Sequence, residues 1–301
     1  MKLTRRQFCS AAGGMLAAAA LGRSGLPAAT DRARRFNILW LIADQHTFGA
    51  LGCAGNPVVK TPNLDHLAAY QEQAAARAGA AFSEALFREY IRCYYGMVTM
   101  VDSYMGRILD GLKRLGLEED TLVIYTSDHG NNVASHGFVD KGVKAFYAEV
   151  LRVPLILRYP GHIRPGSVFQ CSAESVDLMP TLLDYAGAPV AAGVQGRSLR
   201  PILEGRAPDV FDAAFCERGL GSAGENGPGA WFARMIRTSE AKYSYFSDGR
   251  RELFDLAKDP YEMKDVAQDP SYKRLRDSLH ARLVDQARRT GDPAASHIPS
   301  A

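Results

Sequence analysis

Residues 36–46 read FNILWLIADQH, a continuous apolar run that ends abruptly in three polar side chains. A run of this kind, without polar alternation, is typical of a strand buried on both faces of a sheet. Asp44, Gln45 and His46 then lie at the carboxyl end of that strand. Because ligands of α/β sheets bind beyond the carboxyl ends of the strands, the run predicts both a central strand and the position of a site.

Residues 121–130 follow the same pattern: they read TLVIYTSDHG, an apolar run followed by the acidic residue Asp128. Strands that alternate with helices predict an α/β sheet, in which Asp128 and His129 reach the same edge as the first polar group. The other elements predicted here are a helix that opens at Pro62, helices over 84–116 and 176–185, and a third strand over 153–158.

The character of the sequence changes after Gly205, where short apolar stretches separated by turns replace the longer runs. This pattern predicts a small antiparallel sheet with a helix. We therefore expect a main α/β domain over 30–205 with a shortening near 69–85, a C-terminal α+β subdomain over 206–289, and a flexible tail over 290–301. The strands predicted in the subdomain are 235–238, 243–246 and 252–256, followed by a helix over 271–288.

The two polar strand ends contain residue types that bind divalent cations. Asp44, Gln45, Asp128 and His129 offer carboxylate, amide and imidazole ligands. The majority of oxygen donors favours Ca²⁺ or Mg²⁺, and the histidine leaves Mn²⁺ or Zn²⁺ open. On spacing alone an alternative remains, because acids at strand ends often cap the next helix.

A histidine and two lysines follow the second strand end. His136 and Lys141, with Lys144 close by, place an imidazole and a cation beside the predicted metal. Such groups hold the oxygens of a tetrahedral anion and stabilise charge in a transition state. A single histidine or lysine in a loop is more often simply solvated, so this prediction depends on their closeness to Asp128.

The first 29 residues predict an export signal. Arg5 and Arg6 precede a weakly apolar run over 8–21. That run spans about 21 Å as a helix, less than the roughly 30 Å of a hydrocarbon core, so no stable membrane span is expected. The arginine pair favours the twin-arginine export machinery over an ordinary secretory signal. We therefore expect a periplasmic or extracellular protein.

Charge and cysteine content exclude other classes. The chain carries a net charge of +3, but residues beyond 29 hold 32 basic and 33 acidic side chains. A chain so close to neutrality has no general electrostatic reason to bind nucleic acid. The five cysteines form no Cys-x-x-Cys pair, and their density is too low for a disulfide scaffold.

Taken together, these motifs resemble the sulfatases of the alkaline-phosphatase-like superfamily. The resemblance implies a mixed sheet flanked by helices, a small anionic ester as substrate, and metal-dependent hydrolysis of sulfate esters. It also implies metal binding by Asp44, Gln45, Asp128 and His129, with Ca²⁺ as the first choice and Mg²⁺ or Mn²⁺ as alternatives, and sulfate contacts by His136 and Lys141. The segments that carry the resemblance are 37–46, 52–65, 94–109, 126–142, 152–156, 175–183, 195–199 and 252–262.

One departure from the family bears on catalysis. Sulfatases carry a Cys/Ser-x-Pro-x-Arg loop whose first residue becomes formylglycine, the nucleophile, and no such motif occurs in this chain. Without a nucleophile we expect weak turnover or none. A non-catalytic remnant that binds an anion or a partner is one alternative. A phosphodiesterase or phosphonate monoester hydrolase is another, since residues 44–46 resemble those relatives too. Loss of strands also predicts self-association through exposed sheet edges.

Overall fold

Two β-sheets organise the chain in a computed structural model that describes residues 36–52, 54–62, 84–138, 146–209, 213–219 and 231–300. The first sheet has the order β1-β2-β3, with β1 parallel to β2 and β2 antiparallel to β3. Every residue of β2 is buried, which makes it the centre of this sheet. The strands are β1 (Asn37–Ala43), β2 (Thr121–Ser127) and β3 (Leu155–Arg158).

Helices cover both faces of the first sheet. On one face, Val101 and Met105 of the long first helix pack against Leu41 and Val123. On the other face, the side chains of two short helices pack against Leu122 and Ile124 of β2. The α-helices are α1 (Glu84–Arg114), α2 (Ala148–Leu151), α3 (Leu178–Tyr185), α4 (Arg200–Leu203) and α5 (Lys273–Thr290).

The prediction that β1 is buried on both faces is wrong. Ile38, Trp40 and Ile42 are 44%, 41% and 56% exposed, whereas Leu41 and Ala43 on the opposite face are buried. The reason is the position of β1, which pairs only with β2 among the described strands and so forms an edge of the sheet. The helices that cover this face of the sheet lie over β2 and β3.

The second sheet is antiparallel, with the order β4-β5-β6-β7. Helix α5 covers one face, where Leu279, Leu283 and Val284 are buried. The other face meets Phe146, which packs against Met235 and Phe246. The strands are β4 (Ala214–Gly219), β5 (Phe232–Arg237), β6 (Ala241–Phe246) and β7 (Arg251–Asp255), of which β4 has no sequence pattern that predicts it.

The prediction of a flexible tail over 290–301 is also wrong. Ala294 and Ile298 are buried in the core between α5 and the sheet. Asp292 accepts a hydrogen bond from the Ala294 N–H, which starts the 3₁₀ turn Pro293–Ser296. The carboxylate of Asp292 also lies 2.6 Å from Nη2 of Arg234, in an ion pair that is almost fully buried. A cap and a buried ion pair order the segment although it has no apolar periodicity.

The remaining elements of the sequence analysis divide into those confirmed and those outside the described residues. The helix over 84–116, the strands over 121–126 and 153–158, and the helix over 271–288 are confirmed within a few residues at their ends. The export signal over 1–29 and most of the helix that opens at Pro62 lie outside the described residues. None of the helices in the described part of the chain combines the length and the apolar character needed to cross a membrane.

Candidate metal centre

The register of the first sheet brings the two acidic strand ends together. Ala43 and Ser127 are paired across β1 and β2, so the residues that follow them, Asp44 and Asp128, leave the sheet side by side. Nε2 of His129 lies 3.8 Å from Oδ1 of Asp44 and 3.3 Å from Oδ2 of Asp128. One ligand atom from each of the three residues lies within 4.8 Å of the other two. This is the convergence that the sequence predicts.

The donor set fits a hard or borderline divalent cation. Two carboxylates and an imidazole suit Ca²⁺, Mg²⁺ or Mn²⁺, and each carboxylate can contribute one or two oxygens. The Asp44 and Asp128 side chains are 74% and 50% exposed, so the cluster is open to a ligand from solvent. Partial burial raises the pKa of Asp128, but the N–H donors of Gln45 and His129 outweigh it and hold that pKa below its ordinary value.

Gln45 is part of the same cluster through hydrogen bonds. Its N–H donates to Oδ1 of Asp128 at 3.2 Å, and its Oε1 accepts from Nδ2 of Asn131 at 3.0 Å. The hydroxyl of Tyr94 donates to the Gln45 carbonyl. These contacts hold the Gln45 backbone at Asp128 and its side-chain oxygen at Asn131, and the role of that oxygen as a metal ligand stays a prediction. The sequence did not indicate a role for Asn131, which lies just after the Asp-His-Gly motif. It did not indicate one for Tyr94 either, which looks like an ordinary apolar position of α1.

Backbone strain is concentrated in the loops of this site. Gln45, Val133, Ala134 and His136 have φ between 48° and 70°, a left-handed conformation that costs non-glycine residues free energy. Such residues persist where the surroundings fix them, and they cluster at functional sites. Gly130 has a different constraint, since a Cβ atom there would lie 1.9 Å from the Glu149 carbonyl oxygen. The glycine of the Asp-His-Gly motif is therefore required by close packing against α2.

Hydrogen bonds join α2 and the residue after it to the two loops of the candidate metal centre, which follow β1 and β2 and are called the metal loops below. The Gly130 N–H donates to the Val150 carbonyl at 2.8 Å, and the Phe48 N–H donates to the Arg152 carbonyl at 3.1 Å. These bonds fix the segment 146–152, which contains α2, relative to the carboxyl ends of β1 and β2.

That segment also contains the described contacts of His136. The imidazole stacks on Tyr147 with ring centroids 3.7 Å apart, and its Nε2 lies 3.4 Å from Oε2 of Glu149. Burial raises the pKa of Glu149, but the contact with His136 and the hydrogen bonds from the Glu149 N–H and from Ser135 together outweigh it, and the pKa is lowered. The contact of His136 with sulfate stays a prediction, and Lys141 and Lys144 lie outside the described residues.

A buried ion pair at the second sheet forms further hydrogen bonds to segment 146–152. Lys242 pairs with Glu262, and both side chains are almost completely buried. Lys242 donates from Nζ to the Phe146 carbonyl, and Oε2 of Glu262 accepts from the Ala148 N–H at 3.1 Å. These two bonds fix the residues on either side of Tyr147. The sequence offers no signal for this pair, because a lysine in a strand is ordinarily an exposed residue.

A cleft of about 1380 Å³ extends from the metal loops along β3 to the second sheet. Asp128 and His129 line it, as do Arg152 after α2 and Arg237 at the end of β5. The space is larger than a typical small-molecule pocket of roughly 300–1,000 Å³. A ligand bound at the carboxylates therefore has room to extend toward the second sheet.

Comparisons with known proteins identify similar families and relatives. Residues 134–289 match the family described as N-sulphoglucosamine sulphohydrolase, C-terminal, and residues 69–188 match the family described as Sulfatase. The chain is 32% identical over 210 residues to N-acetylglucosamine-6-O-sulfatase of Bacteroides thetaiotaomicron, covering 68% of this chain and 37% of that protein.

The solved structures similar to the chain include a sulfatase and a phosphonate monoester hydrolase. A 2-O GAG sulfatase matches with a TM-score of 0.64 and 25% identity, covering 94% of this chain and 58% of that one. The phosphonate monoester hydrolase of Agrobacterium radiobacter matches with a TM-score of 0.59 and 33% identity, covering 65% and 41% respectively. The chain spans less than half the length of the curated relatives it matches, 37% in the case cited above.

Proposed function

The chain belongs to the sulfatase family, whose alkaline-phosphatase-like α/β fold it shares, and on that premise we propose that it binds a divalent cation and, beside it, the anionic group of a sulfate ester. The observation that carries the proposal is the convergence of Asp44, Asp128 and His129, with one ligand atom of each within 4.8 Å of the others. Ca²⁺ is the proposed ion, because Asp44 and Asp128 supply carboxylate oxygens and we propose the Gln45 amide oxygen as a further ligand.

The bound ion supplies positive charge that neutralises and polarises the ester oxygens. The chain's own residues hold the geometry. The N–H groups of Gln45 and His129 donate to Asp128, which keeps that carboxylate ionised and oriented. Oε2 of Glu149 lies 3.4 Å from Nε2 of His136 and orients the imidazole. His136 is the group that we propose contacts the sulfate oxygens.

Turnover is proposed to be weak or absent, because the sequence has no Cys/Ser-x-Pro-x-Arg motif to supply the nucleophile. Binding of an anion without hydrolysis is therefore a second candidate function. A phosphonate monoester or phosphodiester is the alternative substrate, which the 33% identity to a phosphonate monoester hydrolase supports. We further propose export by the twin-arginine route, on the arginine pair at Arg5 and Arg6.

The metal site is tested by calorimetric titration of the chelator-treated protein with Ca²⁺, Mg²⁺ and Mn²⁺. Asp128→Asn removes a ligand charge at constant size, and we expect it to weaken binding at least about tenfold, as loss even of outer-shell metal partners does. Asp285→Asn is the matched control, since Asp285 pairs with Arg289 on the surface of α5. Equal affinity in wild type and Asp128→Asn contradicts the proposal.

Turnover is tested separately with a chromogenic aryl sulfate and a phosphodiester, each with and without chelator. Chelator-sensitive hydrolysis of the sulfate rejects the binding-only function. Hydrolysis of the phosphodiester alone favours the alternative substrate. Absence of turnover together with intact metal binding supports an anion-binding role.

A further inference from the structure

Two arginines that line the cleft have no carboxylate partner. Neither Arg152 nor Arg237 forms an ion pair with any residue in the described part of the chain, and Nε of Arg237 is buried without a hydrogen-bond partner. The guanidinium carbon of Arg152 lies 5.0 Å from the centre of the Phe48 ring. Arg158, on the nearby edge strand, instead pairs with Glu118 at 2.8 Å.

The two arginines act on each other electrostatically. Burial lowers the pKa of Arg237, and the positive charge of Arg152 lowers it further, against the opposing effect of Glu262. Glu262 is already paired with Lys242 through Oε2, which also accepts from the Ala148 N–H, so its single negative charge is shared between Lys242 and Arg237. Among the described residues, positive charge therefore exceeds negative charge at this part of the partly dehydrated cleft, which is costly unless an anion binds there.

Three of the other acids that line the cleft, Glu174, Asp128 and Glu217, interact with other groups. Glu174 accepts a hydrogen bond from the Phe215 N–H at 2.7 Å. Asp128 belongs to the metal cluster. The charges that act on Glu217 are those of Asp292 and Arg234, and burial together with Asp292 raises its pKa.

We propose that Arg152 and Arg237 form an oxyanion-binding subsite for a carboxylate or sulfate group. A guanidinium offers planar, paired N–H donors that match two oxygens of such a group. The cleft joins this subsite to Asp128 and His129. The inference that one ligand fills both places rests on the proposed function, and it assigns as substrate class an ester that carries a second anionic group.

The subsite is tested with inorganic sulfate as the probe and with chelator present, so that metal-dependent binding is removed. Sodium sulfate is titrated calorimetrically against sodium chloride of equal ionic strength. We expect saturable sulfate binding by the wild type and at least tenfold weaker binding by Arg237→Gln, with a similar loss in Arg152→Gln. Arg289→Gln, which removes an arginine from the surface of α5, is the control and binds as the wild type.

A second readout separates binding from a general effect on folding. In sulfate-free buffer Arg237→Gln removes a repulsive charge, so its melting temperature equals or exceeds that of the wild type. Added sulfate then raises the melting temperature of the wild type and not that of the variant. Equal sulfate affinity in wild type and Arg237→Gln, or no chelator-resistant binding by either, overturns the proposal.

A third variant distinguishes this inference from the metal proposal. Asp128→Asn keeps sulfate binding in chelator if the subsite exists, whether or not the wild type binds metal. With Ca²⁺ present, a disulfated monosaccharide binds more tightly than its monosulfated counterpart to the wild type. The inference of a shared ligand predicts that this preference disappears in Arg237→Gln, and a preference that persists there overturns it.

Discussion

Two cations buried in the second sheet each pair with a carboxylate, whereas a third cation of that sheet, in the proposed subsite, forms no ion pair with any described residue. Arg234 pairs with Asp292 and Lys242 with Glu262, and in each case both partners are nearly inaccessible to water. Removing one member of such a pair leaves an uncompensated charge, so these contacts are fixed parts of the fold. Arg237 is different, because its buried Nε has no hydrogen-bond partner among the residues that the structure describes. An unpaired cation in a cleft is more readily explained by a ligand than by folding.

At the residue scale, His280 provides a pH dependence of stability. Its Nδ1 lies 2.9 Å from the Tyr243 hydroxyl and its Nε2 lies 2.8 Å from the Pro299 carbonyl oxygen. Burial lowers the pKa of His280 below the ordinary 6.5. The unfolded chain therefore binds a proton more readily than the folded protein as the pH falls below 6.5, and stability falls with it.

We expect the free energy of unfolding, measured by urea titration with chelator present, to decrease between pH 6.5 and 5.5. One group contributes at most about 1.4 kcal/mol per pH unit. His280→Gln does not titrate and loses this part of the decrease. Burial also lowers the pKa of His46, to about 4. The wild type and His280→Gln share this effect, so it cancels in the difference between their slopes. The exposed His297→Gln is the control, and an unchanged slope in His280→Gln contradicts the argument.

At the scale of elements, the C-terminal segment is a structural part of the second sheet. Asp292 links the end of α5 to Arg234 of β5 and caps the turn Pro293–Ser296. Asp292→Ala leaves the buried guanidinium without its partner, a change that typically costs about 3–5 kcal/mol. We expect that loss in urea unfolding of the chelator-treated protein. Asp285→Ala breaks only the surface pair with Arg289 and changes stability little. Equal effects of the two variants contradict the assignment.

The sequence predicts those elements whose pattern is local. Apolar runs give β1 and β2, helical spacing gives α1, and the acids at the two strand ends predict their own convergence because parallel strands end at one edge. It does not predict the anchoring of Tyr147, since Lys242 and Glu262 lie far from it in sequence and meet it only through tertiary packing. Strand β4 has no uniform pattern, as its partly exposed residues lie along a sheet edge. The exposure of Trp40 depends on which elements pack over β1, and the apolar run that forms β1 carries no information about those elements.

At the scale of the whole molecule, the described part of the chain has an open apolar edge. It spans 37% of the N-acetylglucosamine-6-O-sulfatase and 58% of the 2-O GAG sulfatase structure. Strand β1 leaves one side without a partner among the described strands, and Ile38, Trp40 and Ile42 are exposed along its face. An unpaired strand with an apolar face is a template for pairing with another chain.

We therefore expect concentration-dependent association of the protein, measured as weight-average mass by sedimentation equilibrium. Ile42→Lys places a charge at the 56% exposed position of β1 and disfavours both burial of that face and strand pairing across the edge. We expect the weight-average mass of the Ile42→Lys variant to stay that of the monomer at concentrations where the mass of the wild type rises. Val58→Lys is the matched control, because Val58 is 68% exposed but lies in a loop away from the strand. If the wild type stays monomeric, or if both variants suppress association equally, the edge of β1 is not the contact surface.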